Sequence, residues 1–336
     1  MKCFVFSIPA LTSCLTATVA FADDPPVAEL VECRRIWDRA PHSAFTDLVH
    51  FKDRWYCVFR EARNHWGPGA SGKIRVITSL DGRGWKSAAL FSQKGDLRDP
   101  KLSIHPDDKL MLLYFRRFNP TRFPEKDELQ FVRFSVDGSQ WGEPVTVGFP
   151  NRWLWRVTWH EGKAYGISHG GLKGNPPFSQ PRSGRLLVSV DGRAFEPLAD
   201  VGYGGESTIR FTADGTALCL RRSKSNRGLI GTSAAPYTQW EWKDLGTKIG
   251  GPNMIQLPDG RFVAAVRLYD GGVRTSLCWL DPNEAALTEF LKLPSGGDTS
   301  YAGLVWHEGL LWVSYYSSHE GKTSIYLAKV GFRLED

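Results

Sequence analysis

Apolar residues along this chain fall in short alternating runs, and polar turns cut between the runs at a nearly constant interval. Six of these turns lead into an apolar strand in the same way: Lys52-Asp53-Arg54-Trp55, Asp107-Asp108-Lys109-Leu110, Glu161-Gly162-Lys163-Ala164, Asp214-Gly215-Thr216-Ala217, Asp259-Gly260-Arg261-Phe262 and Glu308-Gly309-Leu310-Leu311. Their second residues are spaced by 55, 54, 53, 45 and 49 positions. An acidic residue followed by Gly between apolar runs is a strong hairpin signal, because Gly accepts the positive φ that tight hairpin turns require. Six hairpins at so regular a period predict six four-stranded blades, an all-β propeller.

A second motif falls between the hairpins. Ser79-Leu80-Asp81-Gly82-Arg83-Gly84-Trp85, Ser135 to Trp141 and Ser189 to Phe195 share Ser-x-Asp-Gly-x-x-aromatic, with a degenerate copy from Ser233 to Trp240. The Asp can accept backbone N–H groups within its turn while the aromatic plugs the blade edge, so these are structural devices and not calcium loops. Blades are expected at about 44–91, 97–147, 153–198, 206–245, 253–293 and 300–330. The last blade runs out of chain one strand early, and residues 29–37 stand unassigned before the first. The N-terminal stretch is therefore expected to supply the missing strand and close the ring, which leaves no exposed sheet edge. No helical periodicity is longer than a short excursion near 283–290.

Lys2, the apolar run after it and Ala20-Phe21-Ala22 form an export signal ending at residue 22, so residues 23–336 make one propeller domain of a secreted or periplasmic protein. Leu11-Thr12-Ser13-Cys14 resembles a lipobox, and the alternative is tethering through Cys14. No second segment is long and apolar enough to span a bilayer. The net charge of +6 is mild and the Lys and Arg are scattered, which excludes a nucleic-acid footprint. Cys33, Cys57, Cys219 and Cys278 remain after cleavage, with no Cys/His spacing that suggests a metal; they read as strand thiols, and neither metal nor cofactor is expected.

The polar residues just upstream of the hairpins recur in step. Asp47, Asp99, Arg156, Glu206, Asn253 and Tyr301 are spaced by 52, 57, 50, 47 and 48, so each blade is expected to place one polar side chain at the central channel. Seven residues beyond the turn stand Arg60, Phe115, His169, Arg222, Arg267 and Tyr316. Arg60, Arg222 and Arg267 thus share a register, and a cluster of guanidinium forks suggests an anionic ligand, unless each pairs with a neighbouring carboxylate. Trp66, Trp153 and Trp155 are candidates for a sugar-stacking rim, whereas Trp159 and Trp312 read as packing.

Several segments resemble the sialidase (neuraminidase) superfamily. Gly204-Gly205-Glu206-Ser207-Thr208-Ile209 with Arg222 is similar to the segment carrying the catalytic Glu and second Arg of a triad. Val266-Arg267 resembles the segment of the third Arg, and Thr299-Ser300-Tyr301-Ala302-Gly303 that of the nucleophilic Tyr. Arg98-Asp99-Pro100 resembles the substrate-binding Asp-Pro of blade two, and Phe59-Arg60-Glu61 the strand leading to the acid/base loop. The resemblance implies a sialidase-like exo-glycosidase with Tyr301 as nucleophile, Glu206 as its base and Arg222 and Arg267 on a substrate carboxylate. The substrate would be an oligosaccharide or glycoconjugate ending in sialic acid or a related acidic sugar. Two departures stand out. Ser43-Ala44-Phe45-Thr46 holds no first Arg, a lack that Arg60, Arg98 or Arg156 would have to make good. The blade-one loop from Arg63 to Gly72 holds no Asp, which leaves His65 as the acid/base, with Glu61 and Asp99 behind it. A carbohydrate-binding propeller without catalysis, and a Tyr/His lyase acting on a uronate, remain alternatives.

Overall fold

Six small antiparallel sheets, arranged in a ring, contain all the strands among the described residues of the computed structural model. Those residues are 25–67, 71–118, 126–170, 183–223 and 225–333; the expected export signal lies outside them, as do residues 68–70 of the blade-one loop. No helix is found there, so none crosses a membrane. Blade one runs from the strand His42–Phe51 to Lys86–Phe91, blade two from Asp96–His105 to Val145–Val147, blade three from Trp153–Leu154 to Glu196–Tyr203. Blade four runs from Ser207–Phe211 to Glu241–Lys248, and blade five from Gly250–Gln256 to Ala286–Lys292. Blade six orders its strands Ser300–His307, Leu310–Ser317, Ser324–Arg333 and then Val27–Trp37. The N-terminal strand pairs antiparallel with the last one from Val27 opposite Arg333 to Trp37 opposite Ile325, and so closes the ring as expected.

The turn chemistry accounts for the regular spacing. The second residue of all six hairpin turns has positive φ, from 54° at Asp108 to 90° at Gly260. In the Ser-x-Asp-Gly turns Asp81 accepts the N–H groups of Arg83 and Gly84, and the Trp85 indole closes on the Gly82 carbonyl; Asp137 and Asp191 repeat the backbone pattern. At 283–290 the expected excursion is absent. Asp281 caps a tight turn through the N–H groups of Asn283 and Glu284, and the chain re-enters as the strand Ala286–Lys292.

Six hydrophobic clusters hold the ring, each made from two neighbouring blades; Phe51, Tyr56 and Ile74 of blade one, for example, meet Leu97, Leu110 and Tyr114 of blade two. Burial on both faces explains why the inner strands read as near-continuous apolar runs. Trp312 lies stacked on Trp55 in one seam, ring centroids 4.0 Å apart. The thiols of Cys33, Cys57, Cys219 and Cys278 are free, the last three buried in the seams.

One irregularity positions the site. The innermost strands of blades one, two, five and six each lose register with their neighbour at the same point: between Ala44 and Asp47, Arg98 and Lys101, Gly250 and Asn253, and Ser300 and Gly303. The residue after the register break has positive φ in each bulge, namely Phe45 (64°), Asp99 (46°), Gly251 (56°) and Tyr301 (53°), and in blade six Ser300 (120°) has it as well. Bulges re-aim side chains, and a strained φ on non-Gly residues is characteristic of functional sites.

Candidate active site

The bulges sort the axial residues into two tiers. Phe45, Asp99, Gly251 and Tyr301 occupy the upper one, whereas Asp47, Lys101, Asn253 and Gly303, where pairing resumes, lie one step down. Asp47 and Asn253 therefore do not share a position with Asp99 and Tyr301, contrary to the spacing-based expectation. Asp47 accepts both of its contacts from Arg156 Nη1 (3.0 and 2.8 Å) and a third from Leu102 N–H; the Asn253 amide donates to the Ala302 carbonyl. Both are buried wiring between blades.

In the upper tier the Tyr301 hydroxyl donates to Glu206 Oε1 at 2.6 Å. Arg222 Nη1 reaches the same oxygen at 2.9 Å, and the Gly251 N–H donates to Oε2 at 2.8 Å. Burial works to raise the Glu206 carboxyl, but Arg222, the Tyr301 hydroxyl and the Gly251 N–H outweigh it and hold the group below its ordinary value. Burial and the Glu206 charge push the Tyr301 phenol well above its ordinary value. The pair is therefore a neutral phenol hydrogen-bonded to an ionised carboxylate. Arg267 flanks it from blade five, its guanidinium 5.6 Å from the Tyr301 ring centre and bonded to the Tyr316 hydroxyl (3.0 Å) and the Thr299 carbonyl (2.6 Å). Asp99, buried in the next bulge, is raised by burial against the pull of Arg98 and Lys101.

His65 stands at the pocket edge with Nδ1 2.6 Å from Asp298 Oδ2, and His42 Nε2 meets the same oxygen at 2.9 Å. Asp298 Oδ1 accepts from the Tyr316 hydroxyl at 2.9 Å. Burial would raise this carboxyl, but its bonds to the two imidazoles and Tyr316 hold it far below its ordinary range. The donor atoms of His42, His65 and Asp298 lie within 4.8 Å of one another, a composition able to hold a metal. One oxygen, Asp298 Oδ2, is bonded to both rings, through His65 Nδ1 and His42 Nε2, so the three form a hydrogen-bonded Asp–His cluster. Asp298 lies in a loop outside any strand phase, and nothing in the strand spacing marks it; its place three residues before Tyr301 was the available signal.

Three of the sequence-nominated Arg residues turn out to be braces. Arg60 has no exposed surface and pairs with Asp96 (Nε–Oδ1 2.8 Å), so it does not join Arg222 and Arg267 at the pocket. Arg98 pairs with the other Asp96 oxygen at 2.9 Å. The two hold the blade-one loop by its backbone, Arg60 at the Asn64 carbonyl and Arg98 at the His65 carbonyl, both at 2.9 Å. Arg156 is tied to Asp47, and Glu61 to Trp37 and Arg75. Where the resemblance calls for a first Arg stands Phe45, whose ring packs on Tyr301 (5.2 Å), His65 (5.2 Å) and Tyr316 (5.6 Å). Trp155 lies 5.6 Å from Tyr301 and Trp153 stacks on Phe115 at 4.2 Å, a wall leading out of the pocket, while Trp66 is exposed at the loop tip.

Gly251 is fixed by this crowding. A Cβ there would meet Ser300 Oγ at 2.8 Å and Tyr301 N at 2.9 Å, besides the strain of its φ. Gly251→Ala is expected to cost about 3 kcal/mol in thermal unfolding, against about 1 kcal/mol for Gly260→Ala, where φ is also positive but the space is open.

Strand order and the closure of the ring define a six-bladed β-propeller. No protein-family model and no curated protein matches the sequence. Solved structures do. A Dyadobacter fermentans protein of unknown function is similar at TM-score 0.80 and 19% identity, over 92% of this chain and 100% of that one. A Penicillium chrysogenum α-L-arabinanase complexed with arabinobiose follows at TM-score 0.68 and 13% identity, over 90% and 98%. A Trypanosoma rangeli sialidase bound to the inhibitor DANA is similar at TM-score 0.64 and 13% identity; the match covers 91% of this chain and 60% of the sialidase.

Proposed function

We propose that this chain is an exo-acting, retaining glycoside hydrolase that removes a terminal acidic sugar through a covalent intermediate on Tyr301. The observation that carries this reading is the 2.6 Å bond from the Tyr301 hydroxyl to Glu206, with Arg222 and Arg267 beside it. A carboxylate on the anomeric carbon repels an Asp or Glu nucleophile, and a neutral phenol avoids that repulsion. The phenol is a poor nucleophile until it loses its proton, and Glu206, held ionised, receives that proton as the Tyr301 oxygen bonds to the anomeric carbon. The bond to the leaving oxygen breaks as His65 Nε2 protonates it. Water, deprotonated by the same nitrogen, then attacks the anomeric carbon, and Tyr301 leaves with the proton returned from Glu206. Arg222 and Arg267 offer guanidinium donors to the substrate carboxylate. The similarity to propellers named as a sialidase and an arabinanase is in keeping with a carbohydrate substrate.

Assay of the mature protein on α-sialosides and uronosides, with the product anomer followed by NMR, tests the reading. Release of the retained anomer is expected; an unsaturated product would assign elimination instead, and saturable binding without turnover a lectin. His65→Ala separates the acid role. Loss is expected to be about 10²-fold or more on a natural sugar leaving group and much less on an activated aryl glycoside. Equal losses on both would remove His65 from proton transfer.

A further inference from the structure

The lower tier of the channel carries more positive charge than its carboxylates balance. In the upper tier the charges are matched locally: Arg222 with Glu206, Arg60 and Arg98 with Asp96 and Asp99, and Arg267 beside Asp298. One step down, Lys101, Arg156 and Arg210 have one carboxylate among them, Asp47; Lys101 also feels Asp99 and Glu206 of the upper tier, which Arg98 and Arg222 already pair. Asp47 is spent on Arg156 Nη1 and Leu102 N–H. Lys101 Nζ has only the carbonyls of Pro100 (3.1 Å) and Thr46 (3.4 Å), with the Trp155 ring centre 5.3 Å and the Tyr301 ring centre 6.0 Å away. Arg210 bonds the Ile209 carbonyl, Thr158 Oγ1 and Asn253 Oδ1, all neutral. Arg156 is nine-tenths buried, and its Nε is an orphan donor. Buried cations without counter-charge are costly, and an orphan guanidinium N–H adds to the cost. In keeping with this crowding, burial and Arg156 push Lys101 down to about 8 and Arg210 to about 10.

We infer that the channel beneath Tyr301 is an anion site of the halide class, in which a small monovalent anion sits between the Lys101 ammonium and the Arg156 Nε–H and balances the Lys101–Arg156–Arg210 cluster. A halide suits a site whose donors are the Lys101 ammonium of blade two and the Arg156 Nε–H of blade three, because it needs no directional fork, whereas a bidentate oxyanion would need one guanidinium edge free. The site lies beneath the Tyr301 ring, and neither measurement that tests it depends on turnover.

The first measurement is thermal unfolding of the full chain in sodium bromide and in sodium gluconate at equal ionic strength. A saturable rise of about 3 °C in bromide alone is expected. Lys101→Met should abolish the bromide-specific rise. Asp47→Asn, which deepens the cation excess, should lower the half-saturating bromide concentration several-fold; a general salt effect would not give the two variants opposite responses. The second measurement needs no variant: chloride-35 line broadening by the native protein, reversed by bromide. Equal melting in both salts with no broadening, or an unchanged bromide response in Lys101→Met, would overturn the site.

Discussion

Tyr301→Phe is expected to lower kcat about 10⁴-fold, the scale on which enzymes lose rate when a covalent-catalysis residue is removed, while leaving sugar binding within a few-fold of the native protein. The asymmetry follows from the geometry. The ring of Tyr301 packs on Phe45 and Trp155 and beneath Arg267, and Phe keeps all of those contacts. Only the hydroxyl is lost, and with it the bond to Glu206. Arg222 and the Gly251 N–H still hold the carboxylate, so the pocket wall stays in place. Rate measurements beside isothermal titration of the same ligand check both halves. A propeller that merely binds sugar would show no rate to lose, and an enzyme that used Glu206 itself as nucleophile would keep most of its turnover in the Phe variant.

Asp96→Ala is expected to be the most destabilising single change near the site, at roughly 3–5 kcal/mol, a fall in the thermal midpoint of roughly 6–12 °C. Asp96 is buried and accepts from Arg60 Nε, Arg98 Nη1 and the Gly72 N–H, at 2.8, 2.9 and 2.8 Å. Its removal strands two guanidinium groups in a protein interior, one of them without any exposed surface. The same two groups hold the carbonyls of Asn64 and His65, so the loop bearing His65 loses its anchor along with the fold's stability. Calorimetry on the variant, beside Asp244→Ala in the exposed Arg227–Asp244 pair, gives the contrast: the surface pair should move the midpoint by about 1 °C or less.

The architecture was largely legible because propellers repeat their punctuation. Hairpin turn residues mark every blade, Ser-x-Asp-Gly segments mark the first three, and the leftover strand at 29–37 announces the closure that its pairing with the last strand then shows. Glu206, Arg222, Arg267 and Tyr301 were legible because each sits at a fixed distance from a turn. The bulges were not: an extra residue in a ladder has no composition of its own, so Asp47 and Asn253 were placed one tier too high, and Lys101 was passed over. Asp96, which captures Arg98 on its own strand, reaches Arg60 from the neighbouring blade, and a pairing across blades leaves no trace in the spacing. Asp298 and His42 escaped for a related reason. Asp298 lies in a loop before blade six and meets His65 only through the closed ring, while His42, at the mouth of its strand, is brought near by the blade-one hairpin that pairs it with Ala62.

The central claim is that the phenol oxygen of Tyr301 forms the covalent bond to the sugar. Incubation with slow fluorinated donors, 2,3-difluorosialic acid and the corresponding fluorinated uronosyl fluoride, followed by peptide mass spectrometry, tests it directly. The expected result is a single glycosyl adduct on the peptide bearing Tyr301, absent from Tyr301→Phe. An adduct on a carboxylate such as Glu206 or Asp99, or steady turnover of the donors in the Phe variant, would contradict it.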